Sequence, residues 1–278
     1  MITDGIQKHK RSSGDHIFSI IIPTWNNLPY LKLCIESIRK NSSFRHQLII
    51  HINDGKDGTQ QWVQQDPELD YSYSQDNIGI CYALNAGRTL VSTPYIVYMN
   101  DDMYVCPQWD HVLLEEIENA RDNKFLFSCT AIEPFNSGNN CVIFQDYGHD
   151  ILEFREQKLL EEYKSLNMQD WQGSTWPPNV VHTDVWDLVG GYSVEFSPGF
   201  YSDPDFSMKL WMAGVRLFKG VSRSRVYHFG SKSTKRTVKN KGYYTFINKW
   251  GISSSTLTNQ FLHRGEPFDG PLAMPKID

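Results

Sequence analysis

The stretch "NIGICYALNAGRTLVSTPYIVYMNDD", residues 77–102, decides the fold class. Its first part places Ile80, Ala83, Leu84, Gly87 and Leu90 on one face of a helix. Its second part, Tyr95 to Asn100, is a short apolar run that reads as a buried strand. The run ends in Asn100-Asp101-Asp102. Two adjacent carboxylates repel each other, and burial raises that cost unless something offsets it. A bound cation is one way to do so, and a turn or a helix cap is another.

Working outward, the same alternation recurs. "FSIIIP" (18–23) is followed by a helical "LPYLKLCIESIRK". "QLIIHIND" (47–54) is followed by "DGTQQWVQQ", with Asp57 or Thr59 as the expected N-cap. "YSYS" (71–74) precedes the helix of the opening stretch, and "WDHVLLEEIENA" follows its strand. Strands alternating with helices predict an α/β unit with a mostly parallel central sheet flanked by helices. Ligands bind such sheets at the carboxyl ends of the strands. Thr24-Trp25, Asp54-Gly55 and Asn100-Asp101-Asp102 all stand at such ends, so three polar tips share one rim.

Beyond residue 121 the pattern loosens. "FLFSCTAIE" (125–133) predicts a strand, 150–166 a helix, and "PPNVVHTDVWDLVGGYS" a strand, a short helix and a Gly-Gly turn. "DPDFSMKLWMAG" (203–214) predicts a helix with Asp203 as N-cap, Pro204 first and Asp205 in the first turn. "VRLFKG" and "SRVYHFG" predict two further strands. The expected organisation is a loose polar leader (1–17), a first α/β half (18–122), a second half (123–235), and a C-terminal helix and tail (236–278).

Composition narrows the function classes. With 40% hydrophobic and 21% charged residues a core of ordinary size is available, and no apolar run is long enough to span a membrane. The polar start lacks the apolar centre of a signal peptide. Five scattered cysteines without zinc-ligand spacing predict buried free thiols, and with them a cytoplasmic, reducing setting. The net charge of −5 is uneven: Phe206 to Gly265 holds no acid but many Lys and Arg. That span is either a solvated face or a surface for an anionic ligand or membrane.

"FSIIIPTWNNLPYLKLCIESI", "INDGKDGT" and "NIGICYALNAGRTLVSTPYIVYMNDD", in this order, resemble the family 2 glycosyltransferases. "GGYSVEF", "FYSDPDFSMKL" and "VYHFGSKS" extend the likeness over residues 18–235. The resemblance implies a GT-A fold and inverting transfer of a sugar from a nucleoside-diphosphate sugar to an acceptor hydroxyl. It implies that Asp54 binds the nucleobase, although Asp-Gly is also a plain turn. Pro23, Thr24 and Trp25 would line the same pocket, with Asn77 and Gly79 beside the nucleotide. Gly79 would remove a Cβ where backbone meets ligand.

The stretch Asn100-Asp101-Asp102 resembles the family's Asp-x-Asp motif. Asp102 would ligate Mn²⁺ or Mg²⁺, with His228 as a further ligand, while Asn100 and Asp101 serve the donor. Asn100 stands where Asp is commoner and brings no charge. Ser231 and Lys232 would touch the diphosphate. Asp203 matches the general base, with Asp205 as fallback and Ser202 in place of the usual Glu. Trp176 and Asn179 are the acceptor-side candidates, Trp176 by stacking on a sugar.

The implied partners are a UDP, GDP or dTDP sugar and a glycan or lipid-linked acceptor, with no nucleic acid; the basic C-terminal segment reads as a lid that closes over the donor, as a peripheral membrane contact, or as a solvated face. The alternative from another class is a catalytically inactive relative that binds a sugar nucleotide or glycan. A nucleotidyltransferase would carry a Gly- and basic-rich loop after the first strand, and "PTWNNLP" is not one.

Overall fold

A computed structural model describes residues 5–230 and 240–275 of the chain. The first described strand is β1 (Gln7–His9). The expected alternation follows as β2 (Phe18–Trp25), α1 (Leu28–Asn41), β3 (Gln47–Asn53), α2 (Thr59–Gln65), β4 (Leu69–Ser74), α3 (Gly79–Arg88) and β5 (Tyr95–Tyr98). Strands β4, β3, β2 and β5 are neighbours in that order and all parallel. Alternate side chains of a strand face opposite sides. Ile20, Ile22, Ile50 and Ile52 accordingly pack with Leu31, Ile35 and Ile38 of α1, while Ile21 and Ile49 pack with Cys81 and Leu84 of α3. Burial on both faces is why these strands read as continuous apolar runs. Helix α3 lies close on the sheet at Gly87, where a Cβ would sit 2.6 Å from Ile21 Cγ2.

The second half continues with β6 (Met103–Val105), α4 (Trp109–Glu118), β7 (Phe125–Glu133), β8 (Val142–Phe144), α5 (Glu156–Glu162), β9 (Trp171–Gln172), β10 (Asn179–His182), α6 (Thr183–Leu188), α7 (Ser202–Met212), β11 (Leu217–His228) and α8 (Gly242–Trp250). Strand β10 runs antiparallel between β5 and β7, which welds both halves into one sheet of order β1-β4-β3-β2-β5-β10-β7-β11-β6. Trp171 and Trp186 are fully buried and serve the core.

Several expectations change. The described part of the polar leader is not loose: β1 adds to β4 antiparallel, and Asp70 accepts the backbone N–H groups of Arg11 and Ser12. Backbone pairing needs no apolar side chain, so β1 left no pattern to read. The two strands expected in 215–230 are one long strand, β11, whose register against β7 shifts between Val221 and Arg225. The helix expected over 150–166 shrinks to α5. Helix α7 begins two residues early, with Tyr201 at the cap position in a left-handed conformation (φ 70°), so Asp203 lies inside the first turn.

Among the described residues of the acid-free span, three cations pair with acids from outside it. Lys219 pairs with Glu116 and Asp170, Arg223 with Glu115, and Lys249 with Glu195 and Asp205. All five cysteines are buried and free, as expected. No helix among the described residues is long and apolar enough to cross a membrane.

Candidate active site

A cleft of about 470 Å³ opens at the carboxyl ends of the parallel strands. Its walls include Pro23, Thr24, Trp25, Asn77, Gly79, Asn100, Asp101, Asp102, Trp176, Asp203 and His228, so most of the candidate residues meet there. Strand register explains much of the meeting. Parallel pairing of Ile21 with Tyr98 brings Thr24 level with Asp101, three residues further along each chain. Thr24 Oγ1 donates to Asp101 Oδ2 at 2.6 Å, and Asn27 Nδ2 to Asp101 Oδ1 at 3.0 Å. Asp101 is thereby held by the start of the first strand–helix unit, and the two carboxylates of the tip have different partners.

Asp102 is 4% exposed and meets His228 from another direction. Antiparallel pairing sets His228 opposite Met103, and parallel pairing of Tyr227 with Ile132 sets His228 next to Glu133. His228 Nδ1 lies 2.7 Å from Glu133 Oε1, while Nε2 faces Asp102 Oδ1 at 3.4 Å without hydrogen-bond geometry. Burial alone would depress the imidazole pKa, but the carboxylates of Asp102 and Glu133 outweigh it and push the pKa up to about 10.

Among the described residues no three His, Cys, Asp or Glu side chains converge to hold a metal by themselves. The Asp102–His228 pair does fit a partial site. One ring nitrogen of His228 is fixed by Glu133, and the other is buried without a hydrogen-bond partner beside a carboxylate. Two protein donors suffice for a hard divalent cation when water and phosphate oxygens complete the shell.

The opposite wall comes from the chain between α6 and α7. Ser197 Oγ donates to the carbonyl of Ile78, and Ile80 N–H donates to the carbonyl of Pro198 at 2.9 Å. Gly79 (φ 79°) makes this contact feasible, because a Cβ there would lie 2.6 Å from Pro198 Cα. The glycine therefore makes room for the protein's own loop, a reason the sequence did not show. Asn77 Oδ1 accepts the Gly79 N–H in a local turn. The loop delivers Tyr201, and two residues later Asp203, to the cleft. Burial raises the Asp203 pKa to about 7, against a single opposing hydrogen bond from Tyr192. A carboxyl with that pKa is well matched to accept a proton near neutrality.

Other candidates fall elsewhere. Asp205, the fallback base, is fully buried: its Oδ1 accepts from Trp250 Nε1 and pairs with Lys249 Nζ, each at 2.9 Å. It ties α7 to α8 and does not reach the cleft. Asn179 is buried in β10 and is not on the cleft wall, which corrects its acceptor-side placement. Asp54 (φ 64°) lines a neighbouring polar cavity with Lys56, which pairs with it at 3.0 Å, and with Tyr73 and Asp76. Trp176 lines the cleft and carries the Arg264 guanidinium 4.5 Å over its ring. Ser231 and Lys232 lie outside the described residues.

The sequence reading missed Asn53, Tyr98, Glu133 and Tyr201, all on the cleft wall. Glu133 was within reach of the rule already applied, since it ends the strand "FLFSCTAIE". Tyr201 carries no local signal, because its left-handed backbone is set by the loop around it.

Residues 19–167, more than half of the chain, match the family described as Glycosyl transferase family 2. An uncharacterized glycosyltransferase of Rickettsia bellii is 25% identical over 273 residues, covering 93% of this chain and 35% of its own length. Glycosyltransferase GlyA of Streptococcus pneumoniae is 25% identical over 107 residues, 37% of this chain and 15% of the relative. The chain thus spans about a third or less of the length of these relatives.

Among solved structures, S. aureus TarS (residues 1–349) superposes with a TM-score of 0.56 at 16% identity, over 76% of this chain and 60% of that one. GalNAc-T7 with UDP, GalNAc and Mn²⁺ gives 0.62 at 12%, over 88% and 50%. The mannosyltransferase PcManGT of Pyrobaculum calidifontis, with GDP-Man and Mn²⁺, gives 0.52 at 15%, over 86% and 61%. The likeness to these structures establishes the GT-A fold. With the fold and the family match in agreement, the chain is a member of glycosyl transferase family 2.

Proposed function

We propose that the chain is an inverting glycosyltransferase that uses a nucleoside-diphosphate sugar and a divalent cation, with Asp203 as general base. The observation that carries the reading is the shared cleft. It gathers a carboxylate–imidazole pair suited to a cation, a carboxyl with a pKa near neutrality, and an aromatic wall, all at the strand ends. The neighbours' bound UDP and GDP-Man, and the Mn²⁺ in two of them, support a nucleotide-sugar donor.

In this reading Pro23, Thr24, Trp25, Asn77 and Gly79 cradle the nucleotide, with Asp54 at the outer edge toward the base. Asn100 hydrogen-bonds the ribose, and Asp101 is oriented by Thr24 and Asn27. Asp102 and His228 hold Mn²⁺ or Mg²⁺, which when bound neutralises the charge developing on the leaving diphosphate. Trp176 carries the acceptor sugar. Asp203 accepts the proton of the acceptor hydroxyl as its oxygen attacks the anomeric carbon from the face opposite the diphosphate. The acceptor is a glycan or a lipid-linked sugar, and the five buried thiols favour a reducing, cytoplasmic setting.

A thermal-shift screen of UDP, GDP and dTDP with and without Mn²⁺ tests the donor side, since stabilisation grows with ligand concentration over Kd. One nucleotide should raise the midpoint more in the presence of Mn²⁺, and its sugar derivatives should then be turned over. If no nucleotide shifts the midpoint under any condition, the reading fails. Binding without turnover would leave an inactive sugar-nucleotide binder.

A further inference from the structure

Strand pairing fixes the backbones of three cleft residues together. His228 lies opposite Met103 in β6, and the Phe229 N–H donates to the Asp102 carbonyl at 3.2 Å. Glu133 ends β7 between two parallel neighbours, β11, which pairs Tyr227 with Ile132, and β8, which pairs Phe144 with Glu133 itself. The Glu133 carbonyl also accepts the Gln145 N–H at 3.0 Å. Register therefore determines where the Cβ atoms of Asp102, Glu133 and His228 stand.

Register does not determine how the His228 ring is turned. The last torsion of a histidine is broad and roughly two-fold, so half a turn about it puts carbon where nitrogen stood. Glu133 resists that half-turn: its Oε1 lies 2.7 Å from His228 Nδ1, and both side chains are 12% exposed on the cleft wall. A carboxylate only accepts, so Nδ1 keeps its proton. A histidine ligand is the neutral ring, so the nitrogen that offers a lone pair is Nε2, which stands 3.4 Å from Asp102 Oδ1.

We propose that Glu133 is a positioning residue for the cation: it selects the ring orientation and tautomer of His228 that turn Nε2 toward the Asp102 carboxylate. The proposal rests on the reading of Asp102 and His228 as the protein's ligands to the cation. Glu133 is not a third ligand. The two ring nitrogens point away from each other, so a carboxylate bonded to Nδ1 is turned from whatever Nε2 holds. Among the described residues no three His, Cys, Asp or Glu side chains converge in any case.

Support of this kind acts in two ways. A ring already set loses less freedom when the cation binds, and a carboxylate on the far nitrogen makes the near one a stronger donor. The parts come from separate segments of the chain. Asp102 stands at the tip after β5, and the imidazole and its support come from the ends of β11 and β7.

The test titrates Mn²⁺ into the protein, alone and with UDP or GDP, against protein-free controls. Bound ion is counted from loss of the free-ion EPR signal. Glu133→Ala removes both the bond and the charge. Glu133→Asp keeps the charge on a side chain one methylene too short for the Nδ1 contact. Glu133→Gln drops the charge and keeps an acceptor. Ala and Asp should weaken Mn²⁺ binding about 10–100-fold, the usual cost of losing such support, and Gln should stay nearer wild type than either. In a His228→Ala background, with no ring to hold, Glu133→Ala should add no further loss. Melting temperatures without Mn²⁺ show which variants are folded, and the Asp and Gln pair decides the matter if Ala is not.

Wild-type Mn²⁺ affinity in folded Glu133→Ala or Glu133→Asp overturns the proposal. A Gln variant as weak as Ala also overturns it, since the bond to Nδ1 would then not be what matters. So does a full loss from Glu133→Ala in the His228→Ala background, because Glu133 would then act on the ion without the ring. If wild-type protein takes up no Mn²⁺ under any of these conditions, or if His228→Ala and Asp102→Ala leave its uptake unchanged, the cation reading itself fails, and the proposal with it.

Discussion

The two walls of the cleft are built by different means. The wall from β2 to β5, which the proposed function gives to the donor, is a run of parallel strands in which each functional residue caps its own strand. Its register places Thr24 beside Asp101 with no long loop involved. The opposite wall, which the proposed function gives to the acceptor, hangs on the connection between α6 and α7. That connection crosses to Gly79, turns through a left-handed Tyr201 and only then delivers Asp203. In the first wall, secondary structure determines where the chemistry sits. In the second, tertiary packing does, and neighbouring residues of one type divide into different jobs. Asp203 and Asp205, two apart on one helix, show this division. One opens to the cleft, while the other is fully buried against Lys249 and Trp250.

The largest expected effect breaks the donor wall. Asp102→Ala should abolish cation-dependent nucleotide binding and transfer while the protein stays folded, because the residue lines the cleft. Titration of the nucleotide with and without Mn²⁺ checks this, and metal-dependent binding that survives would remove Asp102 from the cation site.

On the other wall, Asp203→Asn should lower turnover by about 10²–10⁴-fold, the usual worth of a general base, with donor affinity little changed. The wild-type kcat/KM should fall as pH drops below about 7, since the base form is lost there. The sign for stability is opposite. The folded-state pKa lies above its unfolded value, so ionised Asp203 destabilises the fold, and the penalty grows as pH rises from 3.8 to 7. Asp203→Asn should therefore gain more melting temperature over wild type at pH 8 than at pH 5. A variant equally stable relative to wild type at both would mean that the Asp203 pKa is not raised in the folded protein.

Asp205→Ala should produce the complementary pattern. It leaves Lys249 and Trp250 Nε1 without their buried acceptor and should cost about 2–4 kcal/mol of stability. Turnover per folded molecule should stay within a few fold of wild type. Denaturant unfolding paired with active-site titration separates the two, and a stable but inactive variant would move the base from Asp203 to Asp205.

The smallest effect is expected where the walls touch. Gly79→Ala strains a left-handed backbone and presses a methyl group on Pro198, for about 1–3 kcal/mol. The Ser197–Phe200 connection should shift with it, so turnover falls while cation affinity does not. A fall in cation affinity would show that the walls are not built separately.

How much of this was legible in the sequence follows the same division. Alternating apolar strands and amphipathic helices, with polar residues at the strand ends, are local patterns. Hydrophobic periodicity therefore gave the parallel half, its ligand-binding rim and the pairing of carboxylates at Asp101-Asp102. The family likeness supplied His228 and Asp203 by order along the chain. Three things depended on residues far apart in sequence. The choice between Asp203 and Asp205 is made by Lys249 and Trp250 of α8. The burial of Asn179 follows from β10 pairing with both β5 and β7. The edge strand β1 forms by backbone hydrogen bonds that leave no side-chain pattern. Local sequence determined which groups stand at the strand ends because a strand's direction and period fix its tip. Only the tertiary structure decided which of the remaining groups face water and which face a partner, because burial and pairing are properties of contacts between distant segments.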